Sequence, residues 1–116
     1  MNFRDFKVYH DAKVLVTLMF RFTRSFPKEF YYLSDQMNRA CLSIVLNVAE
    51  GSAKKSNKDF NRYIQNSLGS ATELSAALDV AGDFNLVNKE EQKKAAELLD
   101  EVIKQLGGFS KFLNKN

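Results

Sequence analysis

Apolar residues recur every three or four positions along most of this chain, in four separate runs. That spacing returns side chains to one face of an α-helix, so each run predicts an amphipathic helix. The four stripes are Val8, Ala12, Leu15, Met19 and Phe22; Leu33, Met37, Cys41, Ile44 and Val48; Phe60, Ile64, Ser67, Ala71, Leu74, Leu78 and Ala81; and Ala95, Leu99, Val102, Leu106, Phe109 and Leu113. One proline and five glycines are too few to divide 116 residues into many short strands.

The ends of the helices carry their own signals. Helix 1 is predicted over residues 5–24 and helix 2 over residues 35–50, with Gly51 in the left-handed position just past the helix end. Three residues are predicted N-caps, because their side chains can accept a first-turn N–H: Ser34, Ser56 and Asn88. Four helices with short connections predict an all-α fold, an up-down-up-down antiparallel four-helix bundle, as one domain over residues 1–116.

Composition argues against several kinds of site. The single cysteine, Cys41, lies on an apolar stripe, which predicts a buried, inert thiol with no disulfide or cysteine-based metal site. With no paired-histidine motif and no glycine-rich phosphate loop, we expect neither a metal nor a cofactor. No apolar run approaches the roughly 20 residues that span a bilayer. We expect a cytoplasmic protein with no membrane partner.

Basic residues are concentrated at one end of the predicted bundle, where the start of helix 1, the helix 2–3 loop and the end of helix 4 meet. They are Arg4, Lys7, Lys54, Lys55, Lys58, Arg62, Lys111 and Lys115, against the acids Asp5, Glu50 and Asp59. This basic end predicts binding to RNA or DNA phosphates without readout of the base sequence. The predicted binding residues are Arg4, Lys7, Lys54, Lys55, Lys58 and Arg62. A solvated lysine end that aids solubility is an equally good interpretation of the sequence.

Helices 1, 2 and 3 carry more apolar surface than one bundle uses. Contiguous apolar faces on neighbouring helices indicate a subunit interface, whereas isolated exposed apolar residues are ordinary. The predicted interface residues are Val14, Val16, Leu18, Phe20, Leu42, Leu46 and Gly69. We therefore expect a homo-oligomer, and the alternative is a monomer with an unusually apolar surface.

No convincing catalytic constellation is present. Arg4 and His10 are spaced as in the Arg-x4-6-His motif, which resembles the ribonuclease site of the HEPN domains, another helical family. Such a pair could bind a phosphate and move a proton. A solvated surface histidine is the favoured interpretation, because His10 shares a polar arc with Lys13 and Thr17. The prediction is a non-enzymatic protein.

A polar seam is predicted between helices 2 and 3. Its members are Gln36, Ser43, Asn47 and Glu50 on helix 2 and Arg62, Asn66 and Glu73 on helix 3. A carboxylate in the last turn of a helix meets the negative end of the helix dipole, so Glu50 needs a compensating partner. The hypothesis is that Glu50 pairs with Arg62 or accepts N–H bonds from the following loop. The alternative is a solvated carboxylate.

Several stretches of the chain carry a family resemblance. They read F-R-D-F-K-V-Y (3–9), F-P-K-E (26–29), N-V-A-E-G (47–51), K-K-S-N-K-D-F-N-R-Y-I (54–64) and L-G-S-A-T-E-L (68–74). Together and in this order they resemble the bacterial four-helix bundle proteins encoded in 23S ribosomal RNA intervening sequences. Asn47, Glu50, Gly51 and Glu73 are the signature residues in these stretches. Val45 departs from the pattern, since relatives often carry proline there, and helix 2 is expected to be straighter for it.

The resemblance implies more than a fold. The family implies assembly as a ring-like pentamer, and it includes the accessory protein of diversity-generating retroelements, which binds a reverse transcriptase and nucleic acid. The expected function is therefore a non-enzymatic, pentameric bundle that binds RNA or DNA, a nucleic-acid enzyme, or both through its basic end. The alternative is a structural or protein-interaction scaffold without affinity for nucleic acid.

Overall fold

Four long helices account for most of the chain in the computed structural model, which describes residues 1–115. They are α1 (Lys7–Thr23), α2 (Tyr31–Ser52), α3 (Asn57–Asp83) and α4 (Lys89–Leu113). Each helix packs against the next, and α4 packs back against α1, within an envelope of 47 × 22 × 20 Å. The predicted up-down-up-down antiparallel four-helix bundle is confirmed.

The core is built from the four predicted stripes. Every stripe residue is buried except Phe109, which is half-buried at the rim. Burying a leucine- or isoleucine-sized side chain stabilises a fold by about 1.5–3 kcal/mol, so the stripes are the main source of stability. Cys41 is part of this core, and desolvation raises the pKa of its thiol to about 12. The thiol is therefore inert at neutral pH, as predicted.

The start of α1 differs from the prediction. Residues Phe3–Asp5 form a separate 3-10 turn, in which the Asn2 side-chain oxygen accepts the Arg4 N–H at 3.0 Å. Phe6 then adopts an extended conformation, and α1 begins at Lys7 rather than at Asp5. The Asn2 cap accounts for the later start of α1, because a side chain that accepts a backbone N–H stabilises a local turn in competition with a continuous helix.

The start of α2 also differs, and the prediction of Ser34 as its N-cap is wrong. A 3-10 turn over Lys28–Phe30 leads directly into α2, which begins at Tyr31. Ser34 lies inside the helix, is buried, and donates its hydroxyl to the Tyr31 carbonyl at 3.0 Å. The predicted N-caps Ser56 and Asn88 are confirmed, since their side chains accept the Asp59 and Glu91 N–H groups at 3.1 and 2.8 Å.

Gly51 does not take the left-handed position that the sequence predicted. It lies within α2, which continues to Ser52 without interruption, and its φ is not positive. The only described non-glycine residue with positive φ is Asn85, at 58°, between α3 and α4. Gly51 instead permits a close approach of α3, because a Cβ there would lie 2.8 Å from Cβ of Tyr63 and 2.9 Å from Cδ1 of Phe60.

α4 runs unbroken through Gly107 and Gly108 to Leu113, and its outer face is exposed. Within residues 1–115, no helix has the length and apolar character needed to cross a membrane.

Candidate nucleic-acid interface

Three aromatic rings bring three parts of the chain together at one end of the bundle. Phe6 precedes α1, Phe60 lies in the first turn of α3, and Phe109 lies near the end of α4. The Phe109 ring is 4.9 Å from Phe6 and 5.1 Å from Phe60, centroid to centroid. The helix ends that the sequence assigned to the basic end are therefore neighbours in space.

Polar contacts reinforce the same junction. The Asn61 amide donates to the Asn114 side-chain oxygen at 3.2 Å, and the Ser110 hydroxyl donates to the Asn61 side-chain oxygen at 2.7 Å. The Gln65 amide donates to the same serine hydroxyl at 2.8 Å. These bonds fix the start of α3 against the end of α4, so the basic residues on both helices share one surface.

The six predicted phosphate contacts are all exposed, but they differ in what they touch. Lys7 Nζ bonds Asp11 at 2.6 Å, and Arg62 lies 3.4 Å from Asp59. Two others lie over aromatic rings: Arg4 over Phe3 at 4.5 Å and Lys54 over Tyr63 at 5.0 Å. Lys55 and Lys58 complete the set on the α2–α3 connection and the first turn of α3. Ring contacts leave both cations able to meet an anion, whereas the two ion pairs offset part of the charge.

Asp11 connects a lysine of its own helix to α4: it pairs with Lys7 one turn earlier on α1 and accepts a hydrogen bond from Gln105 on α4. The hydrogen bond from Lys7 is the main cause that lowers the pKa of Asp11, and the Gln105 amide donates a second bond at 2.8 Å. The same bond raises the pKa of Lys7. Both groups are therefore charged at neutral pH, and Lys7 is paired within α1.

An open groove lies between the start of α1 and the end of α4, and sequence reasoning missed it. Its volume is about 430 Å³, and its walls are mainly apolar. The lining residues are Asp5, Phe6, Lys7, Val8, Gln105, Phe109 and Phe112. Phe112 is 57% exposed and lies outside the apolar stripe of α4. A phenylalanine off the stripe, among lysines, was the signal that could have identified it.

Arg4 and His10 lie close together at the start of α1. Nε2 of His10 is 2.6 Å from the backbone carbonyl of Arg4, so Nε2 carries the proton and donates it to that oxygen. The Arg4 guanidinium lies over the Phe3 ring instead. The contact between these residues is thus through the backbone of Arg4.

The seam between α2 and α3 is present, but Glu50 takes no part in its hydrogen bonds. Gln36 donates to Glu73, Ser43 and Ser70 share a hydrogen bond of 2.8 Å, and the Asn47 amide donates to the Ser43 carbonyl at 2.9 Å. The predicted Glu50–Arg62 pair is wrong. Arg62 pairs with Asp59, one turn away on its own helix, and Glu50 is exposed with no ion pair among residues 1–115. Local helical spacing brings Asp59 within reach at no cost in backbone ordering.

Much of the predicted interface is exposed. Val14, Phe20, Leu42 and Leu46 are 47–59% exposed, and Gly69 is also on the surface. Val16 and Leu18 are only partly buried and pack against the core. A shallow groove of about 410 Å³ runs beside Leu42 and Leu46 on α2. The sequence reasoning did not identify four exposed residues near the opposite end of the bundle: Tyr31, Tyr32, Val80 and Phe84.

The described residues, 1–115, contain no group of three or more side chains suited to hold a metal ion.

A family model described as the 23S rRNA-intervening sequence protein matches residues 4–108, most of the chain. Comparison with curated proteins gives no match. The match covers α1, α2 and α3 in full and α4 as far as Gly108, and it includes each of the quoted stretches except the first residue of the first one. This chain therefore belongs to the family of 23S rRNA-intervening sequence proteins.

Proposed function

We propose that this chain is a non-enzymatic, homo-oligomeric bundle that binds RNA or DNA through the phosphate backbone at its basic end, in the cytoplasm. The observation that supports this most is the exposure of Lys54, Lys55 and Lys58 beside the junction of α1, α3 and α4. A nucleic-acid enzyme such as a reverse transcriptase is a further partner in this proposal, and it rests on the family resemblance alone.

The chemistry of the basic end favours backbone contact over base readout. Lysines that neutralise phosphates release condensed counterions, and this term is independent of sequence. Phe60 is the one aromatic residue within positions 54–62, and it is buried. Stacking of bases on Phe60 is therefore not part of the proposal.

Assembly would multiply the charge. The exposed apolar residues Val14, Phe20, Leu42 and Leu46 give two adjacent helices a surface that a second copy could cover. In a closed ring each copy presents the same basic end, so weak phosphate contacts would act together. We propose a pentamer, the number that the family resemblance implies.

The direct test reverses the charge of the 54–62 cluster. The quadruple variant Lys54→Glu, Lys55→Glu, Lys58→Glu and Arg62→Glu should lose binding to RNA and DNA, measured by fluorescence anisotropy. If wild-type protein makes four phosphate contacts, its affinity should fall by about 100-fold as salt is raised from 50 to 200 mM, because each contact releases counterions. Helical circular dichroism should be unchanged, since all four side chains are exposed.

A matched control carries the same change in net charge elsewhere. Lys28, Lys89, Lys93 and Lys94 are exposed and lie outside the basic end, so their replacement by Glu changes the total charge equally. The control should lose only the long-range part of the attraction, which salt screens. Equal losses in the two variants, or wild-type affinity that ignores salt, would contradict the proposed site.

Oligomerisation is tested separately. Leu42→Glu with Leu46→Glu places two charges on the exposed face of α2, where they should reduce the mass measured by light scattering to that of one chain. Val80→Glu is the control, because Val80 is 40% exposed but lies outside the proposed interface. A wild-type mass of one chain, 13.2 kDa, would exclude the oligomer.

A protein-interaction scaffold is the second candidate. Tyr31, Tyr32 and Phe84 are 50–64% exposed, and aromatic residues of this kind are enriched at protein interfaces. Binding at low salt distinguishes the two candidates, because a scaffold would bind neither RNA nor DNA. The number of subunits does not distinguish them.

A further inference from the structure

We propose that the groove between the start of α1 and the end of α4 takes one unstacked nucleobase, so that the protein prefers single-stranded nucleic acid to duplex. This inference rests on the proposed function, because the groove is too small and too open to hold a nucleic acid without the basic end beside it. It assigns a site and a strand preference that the charged cluster alone does not provide.

The groove is aromatic where the charged cluster is not. Phe112 is 57% exposed, and the Phe109 ring meets it edge-on at 6.4 Å between centroids. Phe109 is in turn fixed by Phe6 at 4.9 Å, also edge-on. Phe109 and Phe6 are thus held by the core, while Phe112 presents open aromatic surface. Base–aromatic stacking needs such a surface and tolerates any base.

Size and charge fit the same ligand. The groove measures about 430 Å³, within the roughly 300–1,000 Å³ of ordinary small-molecule sites. Lys7 lines the groove but is paired with Asp11, whereas Lys111 precedes Phe112 on α4 and is exposed. Lys111 is therefore the main positive charge that a phosphate attached to the base would meet. Asp5 and Gln105 also line the groove and offer oxygen acceptors to the N–H groups of a base edge.

The position of the groove allows it to act with the lysine cluster. The bundle is only 22 × 20 Å across, and the Phe6, Phe60 and Phe109 rings connect the two sites at one end. A short single strand can therefore lie over Lys54, Lys55 and Lys58 and place one base in the groove. A duplex keeps its bases stacked and paired, so it would reach the lysines but not the groove.

The test compares single strand, duplex and a single strand with abasic sites, each of about 15 nucleotides, by fluorescence anisotropy at low salt. Phe112→Ala should weaken single-strand binding by about 5- to 150-fold, the range measured for loss of one stacked base. Duplex binding should change less than about twofold. Wild-type protein should bind the abasic strand as weakly as Phe112→Ala binds the intact strand.

Two further variants make the result specific. Phe84→Ala is the control, since Phe84 is 50% exposed but belongs to the other end of the bundle, and it should leave binding unchanged. Phe112→Trp should retain binding, and because the chain has no other tryptophan, its fluorescence should be quenched by the single strand and not by duplex.

The outcomes separate this inference from the proposed function. If wild-type protein binds neither single strand nor duplex, the proposed function fails and the groove has no role in it. If wild-type protein binds both and Phe112→Ala changes both equally or neither, the lysine cluster stands and the groove proposal is wrong. A changed mass of Phe112→Ala in light scattering would assign the groove to a contact between copies, and would also overturn the proposal.

Discussion

The contact between α2 and α3 and the contact between α1 and α4 both join antiparallel neighbours, yet they are built differently. α2 and α3 meet through small residues: Gly51 leaves no room for a Cβ, and the buried Ser67 hydroxyl donates to the Ile44 carbonyl at 2.9 Å. α1 and α4 meet at the basic end through large aromatic rings and leave an open groove. Small side chains close one contact, whereas aromatic side chains hold the other open.

The α2–α3 contact is closely packed, whereas the α1–α4 contact leaves an open groove. Close approach at α2–α3 fixes the connection that carries Lys54 and Lys55, so the lysines project from a rigid base. The α1–α4 contact leaves Phe112 exposed at the same end. Sites are better positioned when rigid elements hold them, and here one tight contact supports the charged cluster beside the open groove.

The largest expected effect contrasts two phenylalanines at this end. Phe60 is 3% exposed and packs between α2 and the rings of Phe6 and Phe109, so Phe60→Ala should cost about 3–5 kcal/mol of unfolding free energy. Phe112→Ala should cost less than about 0.5 kcal/mol, because Phe112 already faces solvent. Urea unfolding followed by circular dichroism, at one protein concentration, measures both. Similar losses would contradict the contrast between closed and open contacts.

A smaller effect of opposite sign distinguishes two glycines. Gly51→Ala should destabilise by about 1–2 kcal/mol, because overpacking against Tyr63 and Phe60 costs roughly 1–3 kcal/mol and helix propensity returns up to about 1. Gly107→Ala should instead stabilise by about 0.8–1 kcal/mol, since a Cβ there meets nothing within 4 Å. Thermal unfolding measures the sign directly. Stabilisation by both substitutions would mean that α2 and α3 are not in close contact at Gly51.

The smallest expected effect concerns the Lys7–Asp11 ion pair within α1. The folded-state pKa of Asp11 is lowered, mainly by its bond to Lys7, so its contribution is present above the unfolded pKa near 3.9 and is lost as pH falls through the folded pKa. Asp11→Asn should therefore cost no more than about 1 kcal/mol at pH 7, given the exposure of Lys7.

The pH profile of this variant provides the check. The difference in unfolding free energy between wild-type protein and Asp11→Asn should shrink as pH falls below about 4, where Asp11 of the unfolded chain takes up a proton while the folded protein still keeps the carboxylate charged. Glu90→Gln is the matched control, because it removes one carboxylate from an i,i+4 pair that is longer, at 3.8 Å, and has both side chains exposed. A difference that persists at low pH would assign the effect to the Gln105 hydrogen bond instead of the charge.

Periodicity was sufficient to predict the fold. The stripes gave the four helices and their core because burial follows the 3.6-residue repeat directly, and the caps Ser56 and Asn88 act on their own first turns. The errors occurred where local signals compete. Ser34 resembles an N-cap, yet a 3-10 turn from Pro27 onward starts α2 earlier, and the role of Gly51 depends on Tyr63 and Phe60, which are distant in sequence.

The candidate site was only partly predictable, for the same reason. The gathering of basic residues follows from helix order and could be derived. The Arg62–Asp59 pair replaced the expected Arg62–Glu50 pair because a partner on the same helix needs no agreement between two helix rotations. The groove depends on how Phe6, Phe109 and Phe112 are placed across α1 and α4, and helical periodicity within one helix carries no information about that spacing.

Native mass spectrometry of the purified protein with a single-stranded oligonucleotide tests the central claim most directly, because it reports subunit number and bound nucleic acid in one spectrum. The account predicts a complex of about five 13.2-kDa chains that carries the oligonucleotide at low salt and loses it as salt rises. The Lys54, Lys55, Lys58 and Arg62 charge-reversal variant should keep the same subunit number without the oligonucleotide. A single chain that carries no oligonucleotide at low salt would contradict the account.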